Sequence, residues 1–211
     1  VKTILALATL VASLAAHATP PDPARDAQAR VALAQAAPGV KFEADAAAFG
    51  DLDGDGVEDF AIVAGDPHGG AAGAGNMRAY VFKGLPQGGF RLVASSAPVD
   101  YAVVSIRRGS VFLNRDGASG CCAHWAHGFQ FKMRDGQLML IGVESGLYHP
   151  DGMREPDQGT SANLVTGQVE HWTGRDGKPQ HRTRRAVPGL APVPLAGFDG
   201  DAFEARWREL F

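Results

Sequence analysis

Residues 49–62 read FGDLDGDGVEDFAI, and this stretch decides what kind of chain follows. Asp51, Asp53, Asp55 and Asp59 stand at places 1, 3, 5 and 9 of an oxygen-ligand loop. A hard divalent cation takes about six to eight oxygens, so carboxylates on every second residue can wrap one ion while the backbone carbonyl of Val57 adds another. Gly54 and Gly56 permit the turns of such a wrap. Four aspartates within nine residues repel one another unless a cation lies among them. The pattern therefore predicts Ca2+ held by Asp51, Asp53, Asp55, Val57 and Asp59; an acidic hairpin turn without metal is the alternative. Phe60, Ala61, Ile62 and Val63 follow at once, which puts the loop directly before a β-strand.

Downstream, alternating apolar runs separated by Asp-Gly and Gly-rich punctuation announce antiparallel hairpins. Runs 79–83 and 90–94 flank a Gly-Leu-Pro-Gln-Gly-Gly turn, and 102–107 and 110–114 flank a turn at Arg108-Gly109. The clearest hairpin spans 129–141, with Phe129, Phe131 and Met133 on one face, Asp135-Gly136 at the turn, and Leu138 and Leu140 resuming the apolar side. A last pair, 164–172 and 180–187, is expected about Asp176-Gly177. The predicted class is all-β: antiparallel hairpins in a small irregular β-propeller-like domain or, alternatively, a β-sandwich. One full aspartate loop excludes a regular multi-calcium propeller.

Helices are expected at the two ends. The Ala-rich segment 24–37 forms a short helix ending near Pro38-Gly39. Asp201 with Glu204 resembles a capping box, and Phe203, Trp207, Leu210 and Phe211 then share a helical face suited to docking on the β core. Segment 187–194, with three prolines, reads as a connecting strap.

Residues 1–18 read as a signal peptide: Lys2, an apolar run over 4–16, and Ala16-His17-Ala18 before a cleavage near Ala18/Thr19. A leader and short helix occupy 19–39, and 40–211 form a single β-rich domain. The expected localisation is periplasmic or secreted, without a membrane span. A net charge of −3 argues against nucleic acid as a partner. Cys121 and Cys122 are adjacent, so a vicinal disulfide, two loop thiols, or soft ligands together with His124 and His127 all remain open.

No catalytic signature emerges. Ser119 lies in Gly-Ala-Ser-Gly-Cys, which lacks the final glycine of a nucleophile elbow. The glycines of 69–75 do not have dinucleotide spacing. His124, His127, His149, His171 and His181 have no acidic partner visible in sequence. A binding protein is expected in preference to an enzyme.

The loop resembles an EF-hand over its first nine places, but Ile62 stands where an EF-hand carries its bidentate Glu. Phe49-Gly50 before it and a strand after it are the arrangement of the FG-GAP repeats of integrin-type propellers. Together, the export signal, FGDLDGDGVEDFAIV, FQFKMRDGQLMLIG, SANLVTGQ and FDGDAF resemble exported bacterial proteins with a single FG-GAP-like calcium loop. That group is similar to the periplasmic lysozyme inhibitors and immunity proteins that protect against lysozyme-like effectors of type IV secretion systems. The resemblance implies a periplasmic inhibitor of a lysozyme-like glycoside hydrolase. Such inhibitors present a Ser-Gly-x-x-Tyr loop to the enzyme cleft, and Ser145-Gly146-Leu147-Tyr148 is similar though one residue shorter. Ser145, Gly146, Tyr148 and His149 are the partner-binding residues so implied. A calcium-dependent surface adhesion or carbohydrate-binding module is the alternative.

Overall fold

A computed structural model describes residues 22–65, 76–99, 102–119, 123–150 and 155–208. The expected signal peptide, the glycines of 69–75, Cys121 and Cys122, Asp151-Gly152, Leu210 and Phe211 lie outside the described residues.

Helix α1, Pro23–Ala36, opens with Pro23 at its first position and with the Asp22 carboxylate accepting from the Ala24 and Arg25 amides. Ala29, Ala32 and Leu33 lie three and four residues apart, so they share one buried face. That face packs on a four-stranded antiparallel sheet, β1 (Ala47–Gly50), β2 (Asp59–Gly65), β3 (Met77–Gly84) and β4 (Phe90–Pro98), ordered β1-β2-β3-β4. The unbroken apolar run of β2 follows from its place between two layers. Phe60, Ile62 and Ala64 meet α1 together with Tyr80 and Phe82, whereas Ala61 and Val63 turn to the opposite face. Phe60 and Phe82 stack with ring centroids 4.3 Å apart. Each such buried side chain stabilises the fold by about 1.5–3 kcal/mol.

The opposite face packs on an eight-stranded antiparallel sheet. Its strands β5 (Val103–Arg107), β6 (Ser110–Ser119), β7 (Ala123–Arg134), β8 (Gln137–Tyr148), β9 (Asp157–Asn163), β10 (Gln168–Arg175) and β11 (Lys178–Ala186) are neighbours in chain order. Val111, Leu113, Phe129, Phe131, Leu138, Leu140, Val143, Ala162 and Val169 form its inner face, in one core with Ala61, Val63, Ala79 and Val81. The β7–β8 register shifts at Gln130/Phe131, leaving Ile141 as an extra residue on β8. This bulge is why Leu138, Leu140 and then Val143 all point inward.

Neither sheet closes into a barrel, and the all-β architecture is sandwich-like, with a short helix near each end. The β7–β8 turn is made by Asp135 and Gly136, both at positive φ, as an Asp-Gly hairpin turn requires. The strap contributes β12, Val193–Pro194, which pairs with β8 through Val193 and Leu140.

Two expectations are corrected. Residues 164–167, expected to open a strand, form the turn before β10, where the Asn163 carboxamide accepts from the Val165 and Thr166 amides. The C-terminal helix α2, Gly200–Arg206, is capped by Asp199, whose carboxylate accepts from the Ala202 amide, in place of Asp201. Glu204 is thereby freed to reach the large sheet. No helix among the described residues is long and apolar enough to cross a membrane.

Candidate metal centre

The aspartate loop joins β1 to β2, with Gly54 and Gly56 at φ near +80°, where a side chain is disfavoured. Backbone amides converge on its carboxylates. Asp51 accepts from Gly54 at 2.7 Å, Gly56 at 3.0 Å and Asp53 at 3.2 Å, and Asp55 accepts from Val57 at 2.8 Å. These bonds wind the loop around its own acids and leave one carboxylate oxygen each of Asp51, Asp53 and Asp59 within 4.8 Å of one another.

Asp59 is the anchor of the site. It opens β2, is 1% exposed, and accepts from the Leu52 amide at 2.8 Å and from the Gly84 amide of β3 at 2.8 Å. One carboxylate therefore ties the loop to two strands. Burial raises its pKa, the two amide bonds oppose that rise, and the charges of Asp53 and Asp55 add to it.

Lys83 of β3 supplies a cation that the sequence did not reveal. Its ammonium donates to Asp53 and lies 3.0 Å from Asp55. The bond from Val57 and then Lys83 hold the Asp55 carboxyl below its ordinary value, and the two aspartates hold Lys83 above its own.

Of the five residues expected to bind calcium, Asp51, Asp53 and Asp59 converge. Asp55 instead faces Lys83, and Val57 contributes its amide to Asp55. The donor set is all hard oxygen, and each Asp59 oxygen keeps a lone pair beyond its single amide bond, so these three residues could hold a hard cation.

The expected partner-binding segment is placed differently from the expectation. Ser145, Gly146 and Tyr148 lie within β8 and not on a protruding loop, and His149 follows directly. Ser145 shares the inner face with its register partner His127, so Tyr148, three residues on, projects from the outer face. The half-buried Tyr148 ring covers Gly146, where an added Cβ would stand 2.5 Å from the phenol oxygen, and its centroid lies 6.1 Å from that of Trp172. The His149 amide donates to Asp157 at 2.7 Å.

Three of the histidines have side-chain neighbours in the fold. His127 Nδ1 lies 2.7 Å from Glu204 of α2, which also accepts from Arg115 at 2.6 Å, while Arg115 donates to Asp201 at 2.8 Å. His171 Nδ1 is 3.0 Å from the Thr160 hydroxyl, and burial followed by the charge of Arg185 lowers its pKa. His124 approaches Asp116 at 3.7 Å. Comparisons with protein-family models, with curated proteins and with solved structures find no match to this chain.

Proposed function

We propose that this chain is a calcium-stabilised binding protein that acts after export as an inhibitor or immunity protein of a lysozyme-like cell-wall hydrolase. The observation that carries the calcium part is the convergence of the Asp51, Asp53 and Asp59 carboxylates within 4.8 Å at the β1–β2 junction. Calcium there would be held by those three residues and would add to the positive charge that Lys83 already brings to Asp53. Its role is scaffold rigidity: Asp59 already links loop, β2 and β3, and a rigid scaffold loses less entropy on docking.

The inhibitory part rests on the Ser-Gly-Leu-Tyr segment and on where its residues lie. Ser145 and Tyr148 face opposite sides of β8 and the His149 side chain is largely buried, so the enzyme-facing group in this reading is Tyr148, and Gly146 is the seat of its ring. A phenol hydroxyl can hydrogen-bond the carboxylates of a glycoside hydrolase cleft.

A pull-down from periplasmic extract, read out by cell-wall lysis, tests the proposal. The expected result is a stoichiometric complex that blocks lysis and is weakened in Tyr148→Ala. Full lysis by every hydrolase captured, at saturating protein, would refute the inhibitor reading.

A further inference from the structure

The outer face of the eight-stranded sheet bears a patch that the inhibitor reading does not use as a whole. Val169 points into the core, so Glu170 and Trp172 of β10 point away from it, as do Glu144, Gly146 and Tyr148 of β8. Along one row the register runs Gly146, Gly159, Trp172, Arg182, and along the next Glu144, Ser161, Glu170, Arg184. The glycines matter here because the rings lie over them. An added Cβ at Gly159 would come within 2.6 Å of the Trp172 ring, as one at Gly146 would meet Tyr148. Two aromatic side chains thus lie down against the sheet, half-buried, with centroids 6.1 Å apart.

Beside them runs β11. Every residue of this edge strand except Pro179 is exposed, and its Arg182 and Arg184 face the same side as Trp172, whereas Arg185, opposite the inward Val169, faces the other. Glu170 accepts from both Arg182 and Arg184 and so fixes two guanidinium groups next to Trp172. The outer face thus sets two arginines beside two glutamates, Glu144 and Glu170, next to the rings. Charged side chains on an edge also deter strand pairing, but that role asks nothing of the rings beside them.

We infer that this patch binds a glycan chain bearing carboxylates. A sugar ring stacks its apolar C–H face on a flat aromatic side chain, its hydroxyls hydrogen-bond carboxylates and hydroxyls such as Glu144 and Ser161, and guanidinium groups receive its carboxylates. Aromatic and basic side chains together also suit single-stranded nucleic acid. A nucleic acid would bring a phosphate on every nucleotide against Glu144 and Glu170 as well as the arginines, whereas a glycan can set a carboxylate at Arg182 or Arg184 and neutral hydroxyls at the glutamates, and this favours the glycan.

The test is calorimetric titration of the intact protein with a uronic-acid oligosaccharide, a neutral oligosaccharide of equal length and a single-stranded oligonucleotide. Binding of the uronate alone is expected, weakened at least tenfold by Trp172→Ala, at least tenfold by Arg182→Gln with Arg184→Gln, and retained in Trp172→Phe. Equal binding of the neutral sugar, or tighter binding of the oligonucleotide, overturns the inference. So does unchanged affinity in the arginine double variant. If Trp172→Ala does not fold, Trp172→Phe and the arginine variant decide between the outcomes.

Discussion

Replacing Asp59 with alanine tests how the loop is attached. The carboxylate serves two buried amides, those of Leu52 and Gly84, at 2.8 Å each. Leaving a buried donor without an acceptor costs about 1–3 kcal/mol, so the gross loss is about 2–6 kcal/mol. Removal of a desolvated carboxylate returns part of this, and a net loss of about 3 kcal/mol is expected. In a domain of this size each kcal/mol moves the melting temperature by about 2–4 °C, so the variant should melt about 6–12 °C lower in chelator. Asp59→Asn keeps the shape and one acceptor but turns an N–H toward the other amide, and should fall between alanine and the parent. The assay is thermal unfolding by circular dichroism in chelator and in calcium. Calcium at a hundredfold excess over its dissociation constant should stabilise the parent by about 2.7 kcal/mol and the alanine variant by less. An alanine variant that melts within about 1 °C of the parent in chelator would refute the idea that Asp59 pins loop and strands together. An indifference of the parent to calcium would separately refute the metal centre.

Lys83→Met should tighten calcium binding, read by titration calorimetry, because the ammonium on Asp53 and Asp55 no longer opposes the incoming cation; weaker binding would show that Lys83 assists the site. Burial works to raise Glu170, but its bonds from Arg184 and Arg182 prevail and hold the carboxyl low; stability from this clamp should be full above pH 4.5 and lost as pH falls through the lower folded value, and Glu170→Gln should flatten that limb of a melting-temperature profile. His171 has its folded pKa below 6.5, so the unfolded chain takes the proton first, stability should decline as pH drops through 6.5, and His171→Gln should remove that decline. Glu204→Ala strips Arg115 and His127 of a shared acceptor at 2.6 and 2.7 Å; limited proteolysis should release α2 faster than in the parent, and an unchanged cleavage rate would mean that the Phe203 contacts and the Arg115–Asp201 pair hold the helix without it.

The hairpins were legible wherever apolar residues alternate across an Asp-Gly or Gly-rich turn, as at Phe129, Phe131, Leu138 and Leu140 about Asp135-Gly136. Strand β9 was not, because DQGTSAN offers few apolar side chains: it is held by pairing to β8 and β10, with Ala162 alone reaching the apolar core. The acidic half of the candidate centre could be read directly, since its carboxylates all fall between residues 51 and 59. Lys83 could not, being thirty residues from Asp53 and delivered only when β3 pairs with β2. The Tyr148 segment read as a loop only through its likeness to a Ser-Gly-x-x-Tyr loop; in the fold Gly146 is instead the floor beneath an aromatic ring. Glu204 read as part of a cap because Asp201 stands three residues before it, yet Asp199 takes the cap.

The tether of α2 to the large sheet spans long separations: Arg115 meets Asp201 across 86 residues and Glu204 across 89. Closing a segment of that length is entropically costly before any contact rewards it, so this junction belongs to the slow, late part of assembly. A chain made from its N-terminus has the whole eight-stranded sheet in hand before α2 can arrive. Until then Phe129 and Phe198, which Phe203 later covers, remain open to solvent. The last helix is in this sense a latch, and the interval before it closes is when the half-built protein is most open to chaperones, to proteases and to other copies of itself.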